Sequence, residues 1–150
     1  MTGSNLTAAL RRFGGRYDRL LRTFNGLLAR VRRHAPNLDV RLRVGERRDF
    51  PAKRDYAYCS WDGDRATITV APKMLNAALH RQDALLRHEL AHAYLMAGDL
   101  DHTERECDEV AQRLFGDPIY YDRDDVQTIR EEAAVHRRRP TYLPSGKEDS

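Results

Sequence analysis

Two histidines four residues apart, with a glutamate directly after the first, form the segment "HELAH" at residues 88–92. Residues i and i+4 share one face of an α-helix, so His88 and His92 can present two imidazole nitrogens to one metal ion. Glu89 can reach a water held on that ion and take its proton. The segment predicts a hydrolytic metal site; the alternative is a pair of core histidines bound to backbone carbonyls.

The helix that must carry this segment is predicted over "DALLRHELAHAYLMAG", with Asp83 as its N-cap and Gly98 as its C-cap. Because it is apolar on nearly every side, we expect it to run through the middle of the domain. Two histidines and a glutamate are costly to bury there without partners. A metal ion and its hydrogen-bonded surroundings would supply those partners.

A hydrolytic zinc site needs three protein ligands and one open position for water. The next predicted helix offers four further candidates: His102, Glu104, Glu106 and Asp108. Glu104 lies at the edge of the apolar stripe that faces the core, whereas Glu106 points to the opposite side and forms an S/T-x-x-E capping box with Thr103. The alternative role of Glu104 is a similar box with Asp101. Helical geometry therefore ranks Glu104 first among the four candidates, with the capping role left open.

Two neighbouring residues receive secondary roles. His102 is kept in reserve as an alternative third ligand, because it lies just before the same helix. Asp108 follows Glu104 by one helical turn on nearly the same face, from where it could hold a ligand histidine through the other ring nitrogen.

"HELAH" followed by E-x-x-x-D on the next helix, here Glu104 to Asp108, resembles the gluzincin zinc metallopeptidases. "ERECDEVAQRLFG" is similar to the corresponding segment of small gluzincins such as the ImmA/IrrE-like regulators, except that Cys107 stands where alanine is usual. The resemblance implies a zincin-like fold, a Zn²⁺ cofactor and peptide hydrolysis. It also implies a zinc site made of His88, His92 and Glu104, with Glu89 as general base. It also implies that the strand "ATITVAP" is an edge strand that aligns the substrate.

Two other peptidase patterns fit less well. The SprT-like and Spartan-type proteases, which cut DNA-crosslinked proteins, have a later third histidine followed by glycine, whereas His102 is followed by threonine. The metzincin pattern needs glycine at position 95 and histidine at position 98, where this chain has leucine and glycine. A SprT-like DNA-associated protease and a catalytically silent zinc-binding interaction module stay as alternative functions.

The remaining sequence predicts the elements around the site. Apolar residues recur at helical spacing over residues 6–31, which predicts a long amphipathic helix bent near Gly14 and Gly15. "DVRLRVGE" alternates like a strand, and residues 56–61 and 66–71 read as two strands joined by the turn "DGD". We expect one α+β domain over residues 1–150, with a short, mostly antiparallel three-stranded sheet and a flexible tail from about residue 137.

Charge and composition limit the partners. Residues 1–54 carry 14 Lys/Arg and 4 Asp/Glu, a net +10, whereas the remainder carries 12 and 19, a net −7. The basic segment could attract nucleic acid, although a solvated arginine-rich helix face is the alternative. The two cysteines are too few for a disulfide framework, and we find no signal-peptide core or membrane span. The expected location is the cytoplasm, and the expected partner is a protein or peptide substrate.

Overall fold

The computed structural model describes residues 14–50 and 55–116, which form an α+β arrangement of three helices and one small sheet. The bounds of the helices and strands, in chain order, are α1 (Gly15–Val31), β1 (Val40–Val44), β2 (Ala57–Trp61), β3 (Ala66–Val70), α2 (Leu79–Ala97) and α3 (Glu104–Phe115). Two short 3-10 helices, Arg47–Asp49 and Pro72–Asn76, connect them. Among the described residues, no helix combines the length and apolarity that crossing a membrane would require.

The three strands form a mixed sheet in the order β1-β3-β2. β2 and β3 pair antiparallel as a hairpin, but β1 runs parallel to β3, with Val40 opposite Ala66 and Val44 opposite Val70. The prediction of a mostly antiparallel sheet is therefore wrong for one of its two pairings. The expectation of an edge strand at "ATITVAP" is wrong as well, because β3 is the central strand and its backbone pairs with a neighbour on each side.

The sheet and α1 enclose α2, as its apolar composition predicted. Ala66, Ile68 and Val70 on β3 have no exposed surface, and Leu86 and Leu90 on α2 are equally enclosed. Burial of the isoleucine, valine and leucine side chains among them contributes roughly 1.5–3 kcal/mol each to folding. The helix that bears the two histidines thus forms part of the hydrophobic core, and its position is fixed by packing.

The predicted start of α2 needs correction. α2 begins at Leu79, so Asp83 is not its N-cap but lies within the helix, where its carboxylate pairs with Arg87 Nε at 2.8 Å. Residues 72–76, which precede α2, form a 3-10 helix. α1 begins at Gly15 because Gly14 has a φ of 57°, outside the helical region. The predicted continuation over residues 6–13 and the tail from about residue 137 lie outside the described residues.

The end of α3 is fixed against α1 and α2. Arg30 donates a hydrogen bond to the carbonyl of Phe115, and its guanidinium carbon lies 5.3 Å from the centre of the Phe115 ring. Arg87 lies over the same ring at 5.1 Å. Gly116 then takes a left-handed conformation with a φ of 79°, which glycine adopts without strain, and ends the helix.

Candidate metal centre

The two histidines and the predicted third ligand meet in the interior of the protein. His88 Nε2 lies 2.9 Å from Glu104 Oε1, and His92 Nε2 lies 3.1 Å from the same oxygen. His88, His92 and Glu104 are 0%, 2% and 6% exposed. One carboxylate oxygen therefore stands between two imidazole nitrogens, in a place that solvent hardly reaches.

The local structure of α3 explains why Glu104 is in this position. Thr103 is the N-cap: its hydroxyl accepts a hydrogen bond from the Glu106 N–H at 3.0 Å, and the Glu106 side chain accepts from the Thr103 N–H at 2.9 Å. This is the capping box predicted for Thr103 and Glu106, and the alternative box between Asp101 and Glu104 is not formed at this helix start. Glu104 is consequently the first residue of α3, and its side chain is available to the histidines.

His102 also lies in the site, but its ring faces a histidine. His102 Nε2 is 2.9 Å from His92 Nδ1, and His102 Nδ1 is 3.0 Å from the carbonyl oxygen of Leu100. The ring is 6% exposed. Both ring nitrogens of His102 therefore have partners: the carbonyl oxygen of Leu100 and the Nδ1 atom of His92.

Asp108 is half-buried, and its carboxylate accepts a hydrogen bond from Gln112 Nε2 at 3.4 Å. We expected Asp108 to contact the second ring nitrogen of one of the two histidines. For His92, that nitrogen contacts His102 instead. A contact between Asp108 and His88 stays a prediction.

Cys107 is a buried donor that the sequence reasoning did not assign to the site. His88, His92 and Cys107 could hold a metal ion, because one ligand atom of each lies within 4.8 Å of the others. The Cys107 thiol donates a hydrogen bond to the backbone carbonyl of His88 at 3.3 Å. Cys107 follows Glu104 by three residues, so both lie on one face of α3. This spacing could have identified Cys107 as a site residue from the sequence.

Burial and the charges of neighbouring acidic groups raise the pKa values of acidic side chains in the site. Burial raises the pKa of Glu89 well above its ordinary value, and the charge of Glu104 raises it further. Burial also raises the pKa of the Cys107 and Cys59 thiols, with Glu104 and Glu89 acting on the first and Glu89 on the second. A cation placed among these groups would favour their ionised forms.

The pKa of His92 shifts in the opposite direction. Burial lowers the pKa of His92 to about 4, although the charge of Glu104 and its hydrogen bond partly offset this. His92 is therefore neutral at physiological pH, which is the form in which imidazole binds a metal. Neutral imidazoles and a carboxylate form a donor set that suits a divalent ion.

Two of the donor–donor distances are compatible with a bound metal ion. With bonds of about 2.0 Å, the ligand atoms of a tetrahedral zinc site lie about 3.3 Å apart. The two nitrogen–oxygen distances of 2.9 Å and 3.1 Å are close to this spacing.

Comparison of the chain with models of protein families, with curated proteins and with solved structures found no match. The resemblance to gluzincins therefore rests on the motif residues themselves.

Proposed function

We propose that this protein is a zinc-dependent metallopeptidase, with His88, His92 and Glu104 as zinc ligands and Glu89 as general base. The proposal rests on the convergence of His88 Nε2 and His92 Nε2 on one oxygen of Glu104. Glu89 is on the same helix, one residue after the first ligand, and is 3% exposed. This combination of two imidazoles, a third donor and an adjacent carboxylate supports a hydrolytic site.

Glu104 is preferred to Cys107 as the third ligand for two reasons. The Glu104 oxygen contacts both imidazoles directly, whereas the Cys107 thiol donates its proton to a backbone carbonyl. A sulfur ligand must also be ionised, and burial raises the pKa of Cys107. With Glu104 as the third ligand and Cys107 protonated, the fourth position stays open to water.

In this proposal the residues of the chain divide the reaction among them. A zinc ion, when bound, would polarise the scissile carbonyl and lower the pKa of the attacking water. Glu89 takes the proton of that water, since its buried carboxylate follows the first zinc ligand by one residue on the same helix. Glu89 then holds a proton that it can deliver to the leaving amine.

The test compares wild type with Glu89→Gln after both have been loaded with Zn²⁺. Glu109→Gln is the matched control, since Glu109 is an exposed glutamate on α3. We expect one zinc per chain in all three proteins, and cleavage of an unfolded protein such as casein by wild type and control. Loss of the general base should lower the rate by about 10²–10⁴-fold in Glu89→Gln.

Two results would contradict the proposal. If wild type binds zinc but cleaves no more casein than Glu89→Gln, the site is a silent metal-binding module. If wild type binds no zinc, both the proposed metal site and the proposed peptidase function are wrong. The basic segment at residues 1–54 stays a prediction of nucleic-acid binding, and the exposed arginines of α1 fit a solvated helix face equally well.

A further inference from the structure

We infer that His102 is a positioning residue, which fixes the tautomer and ring orientation of His92 so that Nε2 of His92 faces the metal. This inference rests on the proposed zinc site and deepens it. It assigns His102 a different role from that of a zinc ligand. The observations that carry it are the two hydrogen-bond distances at the His102 ring.

The proton positions follow from a backbone carbonyl. The oxygen of Leu100 can only accept, so the His102 Nδ1 atom 3.0 Å away must carry a proton and donate it. A neutral His102 then has a lone pair at Nε2. Because that atom is 2.9 Å from His92 Nδ1, His92 must donate its own Nδ1 proton to it.

The consequence reaches the metal position. With its proton on Nδ1, neutral His92 has a lone pair at Nε2, the atom that lies 3.1 Å from Glu104 Oε1. A lone pair and a carboxylate oxygen at this distance repel each other unless a proton or a cation lies between them. The carbonyl of Leu100, acting through His102, thus directs the electron pair of His92 toward the zinc position.

The turn before α3 holds this carbonyl in place. The Leu100 N–H donates to the carbonyl of Leu95 at 3.0 Å, and the Asp99 N–H donates to that of Met96 at 3.0 Å. These are the two hydrogen bonds of a Schellman motif at the end of α2. The acceptor that orients His102 is therefore anchored to the same helix that bears His92.

The same geometry argues against His102 as the third ligand. Its Nε2 atom would have to leave His92 in order to reach a metal, and its Nδ1 atom is held by Leu100. Glu104, by contrast, already contacts both histidines. Hydrogen-bond partners of metal-binding histidines typically contribute about 10–100-fold to metal affinity, less than a ligand does.

The experiment measures Zn²⁺ affinity by chelator competition and the protonation of the His92 ring nitrogens by ¹⁵N NMR, both on the full chain. The variants are His102→Leu, which removes the acceptor, and His102→Gln, whose amide can accept from His92 and donate to Leu100. His34→Leu serves as the control, because His34 is exposed in the connection after α1.

We expect wild type to have the His92 proton on Nδ1 both with and without zinc. His102→Leu should still bind one zinc, with an affinity about 10–100-fold lower, and should populate the other tautomer when zinc-free. His102→Gln should recover at least half of the loss on a logarithmic scale and restore the Nδ1 proton. His34→Leu should leave both readouts unchanged.

The outcomes separate this inference from the proposed function. Complete loss of zinc in both His102 variants, with retention in Glu104→Ala, would make His102 a ligand and overturn the inference. An unchanged affinity and tautomer in His102→Leu would overturn it too, and circular dichroism checks that this variant is folded. Should His102→Leu fail to fold, the decision passes to His102→Gln and to the wild-type tautomer: a His92 proton on Nε2 in zinc-free wild type refutes the inference. Absence of peptidase activity affects neither readout.

Discussion

His88 Nε2 and Glu104 Oε1 lie 2.9 Å apart, although sixteen positions separate the two residues in the chain. The contact joins the middle of α2 to the first residue of α3. It therefore depends on the end of α2, on the turn and on the start of α3.

Replacing the third ligand should distinguish the two possible donor sets. Glu104→Gln should lower Zn²⁺ affinity by more than the roughly 10–100-fold typical of an outer hydrogen-bond partner, because it removes a charged ligand. Cys107→Ser should change the affinity by only a few-fold, since its thiol binds the carbonyl of His88. Chelator competition measures both. The reverse order of effects would assign the zinc to His88, His92 and Cys107 instead.

The N-cap of α3 should influence both stability and metal binding. Thr103→Ala removes the hydroxyl that accepts from the Glu106 N–H, and should lower the free energy of unfolding by about 0.5–2 kcal/mol. The first turn of α3 should also fray and displace Glu104, which weakens zinc binding. Thr103→Ser keeps the hydroxyl and is the matched control. Equal zinc affinity in the alanine and serine variants would show that the cap does not position Glu104.

In the turn after α2, we expect replacement of Asp99 to cost more stability than replacement of Gly98. Gly98 has an ordinary φ of −84°, and an added Cβ would lie 3.5 Å from Leu100 Cδ1, a normal contact. Gly98→Ala should therefore stabilise the protein by about 0.4–1 kcal/mol through the unfolded chain. Asp99 is the residue in the left-handed region, with a φ of 55°. Asp99→Val should cost about 1–2 kcal/mol.

Urea unfolding of the zinc-free proteins measures these two effects. Asp99→Gly is the control for the second, because glycine adopts a left-handed conformation without strain. A destabilisation by Gly98→Ala that exceeds that of Asp99→Val would mean that Gly98, and not Asp99, carries the conformational demand of the turn.

The buried charge of Glu89 should make the zinc-free protein more stable after Glu89→Gln near neutral pH. Burial and the charge of Glu104 raise the pKa of Glu89 above 4.5, so the folded state holds a proton that the unfolded state releases. The stability that this group contributes is present below pH 4.5 and is lost as the pH rises through the folded-state pKa. Glu89→Gln removes this loss.

His92 acts in the opposite direction on the acidic side. Its pKa falls from 6.5 to about 4 on folding, so its contribution is complete above pH 6.5 and is lost as the pH falls toward 4. Chemical unfolding of zinc-free wild type and Glu89→Gln across this range measures both slopes. A wild type that equals or exceeds the variant in stability at neutral pH would contradict the predicted cost of burying Glu89.

Periodicity in the sequence was sufficient for the features that depend on one helix. The apolar surroundings of "HELAH" predicted that α2 is buried, and the positions of Glu104 and Glu106 around α3 predicted which of them faces the core. These predictions held because the direction of a side chain on a helix follows from its position alone. The capping box at Thr103 was equally local.

Features that depend on packing between elements were not predictable in this way. The turn "DGD" indicated that β2 and β3 are neighbours, but nothing in β1 indicated that it pairs parallel to β3. The start of α2 was misplaced because Asp83 has the residue type of a cap, while its carboxylate pairs with Arg87 inside the helix. His102 could be ranked only as a donor, since its contact with His92 depends on the shape of the turn.

The α2–α3 contact and the β1–β3 pairing differ in the length of chain that separates the paired residues. The pairing of α2 with α3 joins residues sixteen positions apart, whereas the parallel pairing of β1 with β3 joins Val40 to Ala66, with β2 between them in the chain. Short-range contacts lose less chain entropy and form sooner than long-range pairings. The helical hairpin with His88, His92 and Glu104 is therefore a unit that can assemble early, before the sheet beneath it is complete.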